Sequence, residues 1–110
     1  MHEIVGKQEE VEPEEVKQAK DVYIQWLVRG PNYHMRRFTF KPGAKMNPHS
    51  HPWEHEIYVL RGKATVGIGD NKYHVEEGYY LYIPPNVPHW YRNDGDVDFI
   101  FICVIPNVES

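Results

Sequence analysis

Three histidines lie within seven residues of one another in the first half of the chain. His49, His51 and His55 all occupy odd positions in the segment GAKMNPHSHPWEHEIYVLRG, residues 43–62. On a β-strand, residues of one parity point to one face, so the three imidazoles would share a face. Neutral imidazole is a common ligand of divalent transition metals. The spacing therefore predicts a metal site.

A straight strand cannot bring these histidines to one ion. It rises about 3.4 Å per residue and would hold His51 and His55 roughly 13 Å apart, whereas ligand nitrogens lie about 2.0–2.2 Å from the ion. Pro52 lies between them and lacks the N–H group that a sheet ladder needs. We expect the chain to bend at Pro52.

A fourth histidine, His89, lies in the segment GYYLYIPPNVPHWYRN, residues 78–93. Together the two segments resemble the two-part motif of the cupin superfamily, G-x5-H-x-H-x3-(E)-x6-G followed by G-x5-P-x-G-x2-H-x3-N. The motif positions that this chain matches are Gly43, His49, His51, Gly62, Gly78, Pro84, His89 and Asn93. The resemblance covers about half of the chain.

Two positions depart from the cupin motif. Asn86 stands where the family usually carries glycine, and asparagine tolerates the left-handed backbone better than other non-glycine residues. His55 stands where the family usually carries a glutamate ligand. In this respect the chain resembles the four-histidine subgroup of small cupins, which implies His49, His51, His55 and His89 as the ligands of one divalent transition metal. The resemblance favours manganese or iron, with cobalt, nickel, copper and zinc as further ions that the site would bind.

Strand parity and the resemblance together indicate the walls of a pocket beside the metal. The candidates are Arg36, Ile57, Phe101, Cys103 and Ile105 for the interior, Met46 for the approach to His49, and Trp53 for the mouth. Such a mostly apolar pocket with one cation suits a small organic molecule that carries a carboxylate or a chelating pair of oxygens. Glu56 has the opposite parity to His55, so the nearest carboxylate is expected to point away from the ligands.

Three functions fit this site. The first, which the sequence favours, is an oxygen-dependent or peroxide-dependent oxidoreductase, dioxygenase-like, because an octahedral ion with four protein ligands keeps two open positions. The second is a redox-neutral isomerase or lyase that uses the metal as a Lewis acid; the sequence offers it no evident general base. The third is a module that binds a metal or small ligand without turnover. His2, His34 and His74 lie outside the motif and are expected to be surface or structurally bonded histidines.

Strand-like segments recur along the chain with turn signals between them. They cover residues 21–29, 33–41, 54–61, 63–68, 72–75, 79–83, 89–92 and 97–105. No helical period accompanies them, so the pattern predicts a single all-β domain, a sandwich or barrel. The cupin resemblance narrows this to a jelly-roll barrel, or double-stranded β-helix, over residues 21–110, preceded by an arm or edge segment over residues 1–20.

Composition limits the partners of the chain. A net charge of −4 without a basic stripe disfavours nucleic acid. No apolar run reaches the roughly 20 residues of a membrane span and the start of the chain resembles no secretion signal, so we expect a cytoplasmic protein with no membrane partner. Cys103 is the single cysteine and forms no internal disulfide. The last strand is apolar on both faces, which predicts a homodimer.

Overall fold

The strands of the protein form two antiparallel sheets that enclose one apolar core. The computed structural model describes residues 2–108. After a short 3-10 turn at Gln8–Glu10, the strands are β1 (Glu14–Glu15), β2 (Val22–Arg29), β3 (Tyr33–Phe40), β4 (Lys45–His49), β5 (His55–Arg61), β6 (Lys63–Ile68), β7 (Asn71–Glu76), β8 (Tyr80–Ile83), β9 (His89–Asn93) and β10 (Phe99–Pro106). The larger sheet has the order β1-β2-β3-β10-β5-β8 and the smaller has the order β4-β9-β6-β7. This jelly roll confirms the predicted fold.

Strict alternation of side chains between core and solvent is clearest on β5. His55, Ile57 and Val59 are buried, whereas Glu56 and its even-numbered neighbours are exposed. Because successive residues of a strand point to opposite faces, this pattern fixes which side of the sheet meets the core. Glu56 therefore lies on the outer face, as its parity predicts.

The last strand lies at the centre of the larger sheet. β10 pairs with β3 on one side and β5 on the other, which places Cys103 opposite Arg36 and Ile57. Its inward residues are buried, and Phe101 stacks on Phe38 with ring centroids 5.2 Å apart. On the other face, Ile102 and Val104 are half-buried.

Two turns explain residues of the motif that perform no chemistry. Gly62 has a φ of +81°, and a Cβ there would clash with the carbonyl oxygen of Asp98, so the turn between β5 and β6 requires glycine. Asn86 has a φ of 65°, as expected for asparagine at a left-handed position. Its backbone N–H donates to the carbonyl of His51 at 2.6 Å. This bond joins the loops of the two motif segments.

Asn93, the last residue of the motif, connects separate parts of the barrel. Its Nδ2 donates to the carbonyls of Phe40 and Val97, each at 2.9 Å, and its Oδ1 accepts from the N–H of Gly95 at 2.8 Å. The side chain is 2% exposed. With both ends of the amide satisfied, Asn93 is a structural residue.

The segment before the barrel is held against β2. β1 pairs with β2, and the buried Gln25 donates from Nε2 to the carbonyls of Gln8 and Val11 at 2.8 and 2.9 Å. Arg37 in turn donates to Oε1 of Gln25 at 2.8 Å. Within residues 2–108, no helix is long and apolar enough to cross a membrane.

Candidate metal centre

Three of the four predicted histidines present ligand atoms to one point. His49 ends β4, His89 begins β9, and the two are directly opposite each other in the smaller sheet. His51 lies in the loop after β4. One ring nitrogen from each of the three lies within 4.8 Å of the others. Nitrogens that each lie about 2.0–2.1 Å from one ion are at most about 4.2 Å apart, so the three rings would draw closer together around a metal.

The strand that carries His49, β4, is not among the strands that the sequence pattern predicts. β4 contains Pro48 and forms the edge of the smaller sheet, where the missing N–H removes no ladder bond. The register between β4 and β9 shifts between Met46 and His49. After this irregularity the chain bends through residues 50–54 before β5 begins at His55, which agrees with the expected bend at Pro52.

Hydrogen bonds to carbonyls two residues away orient two of the imidazoles. Nδ1 of His49 lies 2.9 Å from the carbonyl oxygen of Asn47, and Nδ1 of His89 lies 3.0 Å from that of Val87. A carbonyl only accepts, so Nδ1 carries the proton in both rings and Nε2 keeps a lone pair. In residues 2–108, the Nε2 atom of His89 is buried without a hydrogen-bond partner. These tautomers are the ones that leave Nε2 free to bind a metal.

His55 lies next to this trio from the opposite sheet. Its ring centroid is 4.9 Å from that of His89 and 5.3 Å from that of His51. The side chain is 4% exposed, and its Nδ1 has no hydrogen-bond partner among the described residues. His55 is not one of the three histidines whose ring nitrogens lie within 4.8 Å of one another.

Burial keeps the inner imidazoles neutral. It lowers the pKa of His55 to about 3, with further contributions from His89 and Arg36. Burial also lowers the pKa of His89 to about 4, although the bond to Val87 opposes this shift. The pKa of His51 is lowered by burial and by His49. Neutral imidazole is the form that binds a metal.

A cavity of about 520 Å³ adjoins the histidines, a size suited to a small organic ligand. Of the predicted pocket residues, the structure brings Arg36, Met46, Trp53, Phe101 and Cys103 to its wall, together with all four histidines. The Trp53 ring stacks on His51 with centroids 4.5 Å apart. Ile57 and Ile105 do not line the cavity, because they are packed within the core at 4% and 2% exposure.

Several residues of the wall are not indicated by the motif. They are Glu14, Glu15, Val16, Lys17, Gln18, Ile24, Trp26, Phe38, Phe40 and Tyr91. The first five belong to the segment before the barrel, so β1 and the residues after it form part of the wall. Tyr91 follows His89 by two residues on β9, and this parity is the signal that places it on the inner face.

Cys103 has a partner that lies far away in sequence, and two histidines outside the motif differ in exposure. Cys103 accepts a hydrogen bond from Nη2 of Arg36 at 3.1 Å, a neighbour that the sequence around the cysteine does not reveal. Burial raises the pKa of the Cys103 thiol, and Arg36 opposes only part of that rise. His34 is 1% exposed and contacts the edge of Trp26, so it is not a surface histidine. His74 is exposed and bonds to Thr65, as expected for a histidine outside the site.

Comparisons by sequence identify relatives that match this chain over part of their length. The chain is 40% identical to the mannose-1-phosphate guanylyltransferase RfbM of Salmonella typhimurium over 88 residues, 74% of this chain and 18% of that protein. It is 36% identical to protein MJ1618 of Methanocaldococcus jannaschii over 62 residues, 56% of this chain and 50% of that one. The chain thus spans between about a fifth and a half of the length of these relatives.

Solved structures and a family profile complete the comparison. The polyketide cyclase RemF of Streptomyces resistomycificus superimposes with a TM-score of 0.88 and 28% identity, over 97% of this chain and 80% of that one. A predicted oxalate decarboxylase of Thermotoga maritima superimposes with a TM-score of 0.84 at 23% identity, over 94% and 98% of the two chains, which shows a common fold. The profile of the Cupin domain family matches residues 36–105. The chain therefore belongs to the cupin family.

Proposed function

We propose that this cupin is a metal-dependent enzyme that carries out a redox-neutral reaction on a small, oxygen-bearing organic molecule. One observation carries the proposal: four imidazoles meet at the wall of a mostly apolar cavity, and a buried ring nitrogen of His89 has no partner within residues 2–108. An unsatisfied buried nitrogen costs about 1–3 kcal/mol. A bound ion removes that cost.

The proposed ligands are His49, His51, His55 and His89. The first two and His89 form the compact group, and the short ring distances of His55 to His51 and His89 support it as the fourth. With no carboxylate among the four, the charge of a divalent ion remains uncompensated and its electrophilicity high. Imidazole suits iron, cobalt, nickel, copper and zinc, and the family resemblance favours manganese or iron.

A divalent ion at this site would polarise a carbonyl or enol oxygen of the substrate. The chain itself supplies the rest of the environment. The stacked rings of Phe38 and Phe101 form an apolar wall that holds a flat substrate and limits water. Burial raises the pKa of the Tyr91 phenol well above its ordinary value, so the hydroxyl keeps its proton and remains a hydrogen-bond donor. Tyr91 is therefore a hydrogen-bond donor and not the general base that the sequence leaves unidentified.

The likeness to RemF supports the redox-neutral class. That protein is described as a polyketide cyclase, and it matches nearly the whole of this chain. Ring closure by condensation within one molecule forms a carbon–carbon bond with loss of water and needs no oxidant. The similarity to the mannose-1-phosphate guanylyltransferase is weaker evidence for function, because this chain matches only 18% of that protein.

The second candidate is the oxidant-dependent oxidoreductase, dioxygenase-like, that the sequence favours. The all-imidazole donor set supports it, because it leaves positions of an octahedral ion open. The apolar walls would also limit access of water to a reactive intermediate.

A substrate panel separates the candidates. Metal-loaded protein is incubated with linear polyketones and small keto acids, with dioxygen or peroxide present and with both removed. Turnover that requires metal and ignores oxidant supports the proposal, whereas turnover that requires oxidant transfers the assignment to the second candidate. His89→Ala should abolish turnover, and His74→Ala is the matched control outside the cavity. Metal binding without turnover would indicate a binding module.

A homodimer remains part of the proposal. Ile102 and Val104 on the outer face of β10 are half-buried, and their neighbours Tyr58 and Met35 are 51% and 40% exposed. A second copy of the chain would cover this apolar surface. Light scattering coupled to gel filtration tests it: a mass of one chain over the micromolar range would contradict the dimer.

A further inference from the structure

The cavity wall holds a half-buried cation, Arg36, that the proposed reaction does not use. Arg36 projects from β3 between the rings of Trp26 and Phe38, with its guanidinium carbon 5.4 and 5.0 Å from their centroids. Its Nη2 donates to the Cys103 sulfur at 3.1 Å. Its Nε is buried, and within residues 2–108 it has no hydrogen-bond partner.

The surroundings of Arg36 leave its charge uncompensated. No ion pair joins it to an aspartate or glutamate in the described part of the chain. Burial raises the pKa of the Cys103 thiol, so the sulfur is a weak neutral acceptor and not a counterion. The buried Nε has lost water without gaining an acceptor, and a charged group without a counterion is unfavourable where it is shielded from water. The arrangement is therefore incomplete without a negatively charged ligand.

The other unpaired groups of the wall point to the same kind of ligand. Trp53 Nε1 is buried without a partner in the described chain and only donates. Tyr91, whose hydroxyl can donate a hydrogen bond, lines the same cavity. Once the histidines are assigned to the metal, the unpaired polar groups are donors. A ligand rich in acceptor oxygens satisfies them, and a ligand with many donors does not.

The apolar part of the wall defines the body of the ligand. Trp26, Phe38, Phe101 and Tyr91 present aromatic surface, and Phe101 stacks on Tyr91 with centroids 5.3 Å apart. Aromatic walls favour flat apolar bodies by offset stacking. The volume of about 520 Å³ accommodates more than a single ring.

From these contacts we infer that Arg36 is the specificity-determining residue of the cavity and binds the carboxylate of a flat, aromatic or conjugated acid. The inference rests on the proposed function, because it places the substrate of that reaction. The guanidinium presents its Nε and an Nη in the fork geometry that matches two carboxylate oxygens. The ring of the acid would then lie along the aromatic wall toward the histidines.

The segment before the barrel offers a competing partner for Arg36. Glu14 and Glu15 line the same cavity, but the Glu15 carboxylate already accepts the N–H of Asp21 at 2.9 Å. Glu14 is exposed and makes no ion pair with Arg36 in the structure. If Glu14 competes for the guanidinium, Glu14→Gln will tighten the binding of an external carboxylate.

The test is calorimetric titration of metal-free protein with benzoate, and with benzamide as the neutral probe of the same shape. Benzoate should bind and benzamide should bind at least about tenfold more weakly, because the charged bond to Arg36 is lost. Arg36→Gln should weaken benzoate by about tenfold to a hundredfold and leave benzamide unchanged. Arg61→Gln removes an equal charge from an exposed position and should bind benzoate like the wild type.

Other results would overturn the inference. These are equal binding of the two probes, undiminished benzoate binding by Arg36→Gln, or no benzoate binding by the wild type. Arg36→Lys keeps the charge without the fork geometry and should lose less benzoate affinity than Arg36→Gln. If Arg36→Gln does not fold, Arg36→Lys and the comparison of benzoate with benzamide still test the inference. Benzoate that binds only to metal-loaded protein, regardless of Arg36, would place the carboxylate on the metal and leave the proposed function intact. Failure to bind metal would contradict the proposed function without changing the metal-free titration.

Discussion

Two histidine-containing clusters on opposite faces of the smaller sheet contrast in how their polar groups are satisfied. In the outer network, formed by Thr65, His74, Arg92 and Asp94, the Thr65 hydroxyl bonds to the Asp94 carboxylate and lies 3.2 Å from Nδ1 of His74. Arg92 donates to Asp94 at 2.7 Å. This network is closed on itself and partly open to solvent.

In the cavity the same kinds of groups are buried and unpaired. Four of the five buried side-chain atoms that lack a partner in residues 2–108 belong to Arg36, Trp53, His55 and His89, and all four residues line that cavity. A folded protein seldom leaves buried polar groups unpaired without a reason. The comparison shows that a histidine near acidic and basic neighbours indicates a structural network, whereas unpaired imidazoles and donors in an apolar cavity indicate a missing ligand.

The largest expected difference between the clusters is in metal affinity. His89→Ala should weaken binding of a divalent metal by more than about a hundredfold, because loss of even a supporting group costs 10–100-fold at metal sites. His74→Ala in the outer network should leave the affinity unchanged. Competition titration with a chelating dye measures both. Equal affinities of the two variants would remove the distinction between the clusters.

A smaller loss is expected at His55, where the family usually carries glutamate. His55→Ala should weaken the binding of the metal by about tenfold to a hundredfold. His55→Glu should retain the metal, because a carboxylate is a suitable ligand, and should lower the Lewis acidity of the site by adding negative charge. The same dye competition serves as the measurement. Equal loss in both variants would show that position 55 does not reach the ion.

The clusters should also differ in how acid affects the metal-free protein. His55 and His89 have folded pKa values of about 3 and about 4, lowered chiefly by burial from an ordinary value near 6.5. Below pH 6.5 the unfolded chain therefore binds protons that the folded chain does not. Stability should fall as the pH drops from about 6.5 toward 4, by roughly 1 kcal/mol per pH unit for each group.

Comparison with a variant isolates this slope. Urea denaturation of metal-free His55→Gln should show a pH dependence reduced by about one proton relative to the wild type. Asp94 titrates in a lower range: burial opposes the shift, but the bonds from Thr65 and Arg92 lower its pKa overall. Its contribution is present above its ordinary pKa and is lost as the pH falls through the lowered value. An unchanged slope in His55→Gln would contradict the assignment of a buried neutral His55.

The smallest effect is expected from opening the outer network. Asp94→Asn should cost about 0.5–1 kcal/mol of unfolding free energy, because the pair with Arg92 is largely exposed. Metal affinity should not change. A loss of metal in this variant would show that the outer network supports the cavity across the sheet, and urea denaturation beside the dye titration distinguishes the two effects.

Much of the barrel and the histidine cluster follows from the sequence. Fixed spacings place His49, His51 and His89 together, alternation predicts which face of β5 is buried, and the left-handed turn at Asn86 follows from the tolerance of asparagine. These features depend on local rules of strand geometry and backbone conformation.

Other features depend on distant contacts that spacing does not encode. Arg36 reaches Cys103, 67 residues away, only because β3 and β10 pair in one register. Parity predicts that Ile105 points inward, but not that it is packed in the core away from the cavity. Residues 14–18 reach the cavity wall because β1 pairs with β2, and Gln25 holds the segment before them by two carbonyl bonds. Because residues 14–18 are mostly polar, their sequence pattern does not predict that they line a cavity.

Anomalous diffraction from a crystal of the metal-loaded chain, recorded at the absorption edge of the ion, tests the four-imidazole metal site. We expect one anomalous peak per chain, at the cavity, with ring nitrogens of His49, His51, His55 and His89 each about 2.0–2.3 Å from it. An ion held by three histidines with His55 turned away would contradict the four-imidazole site. A peak at the outer network, or none at the cavity, would contradict the metal centre altogether.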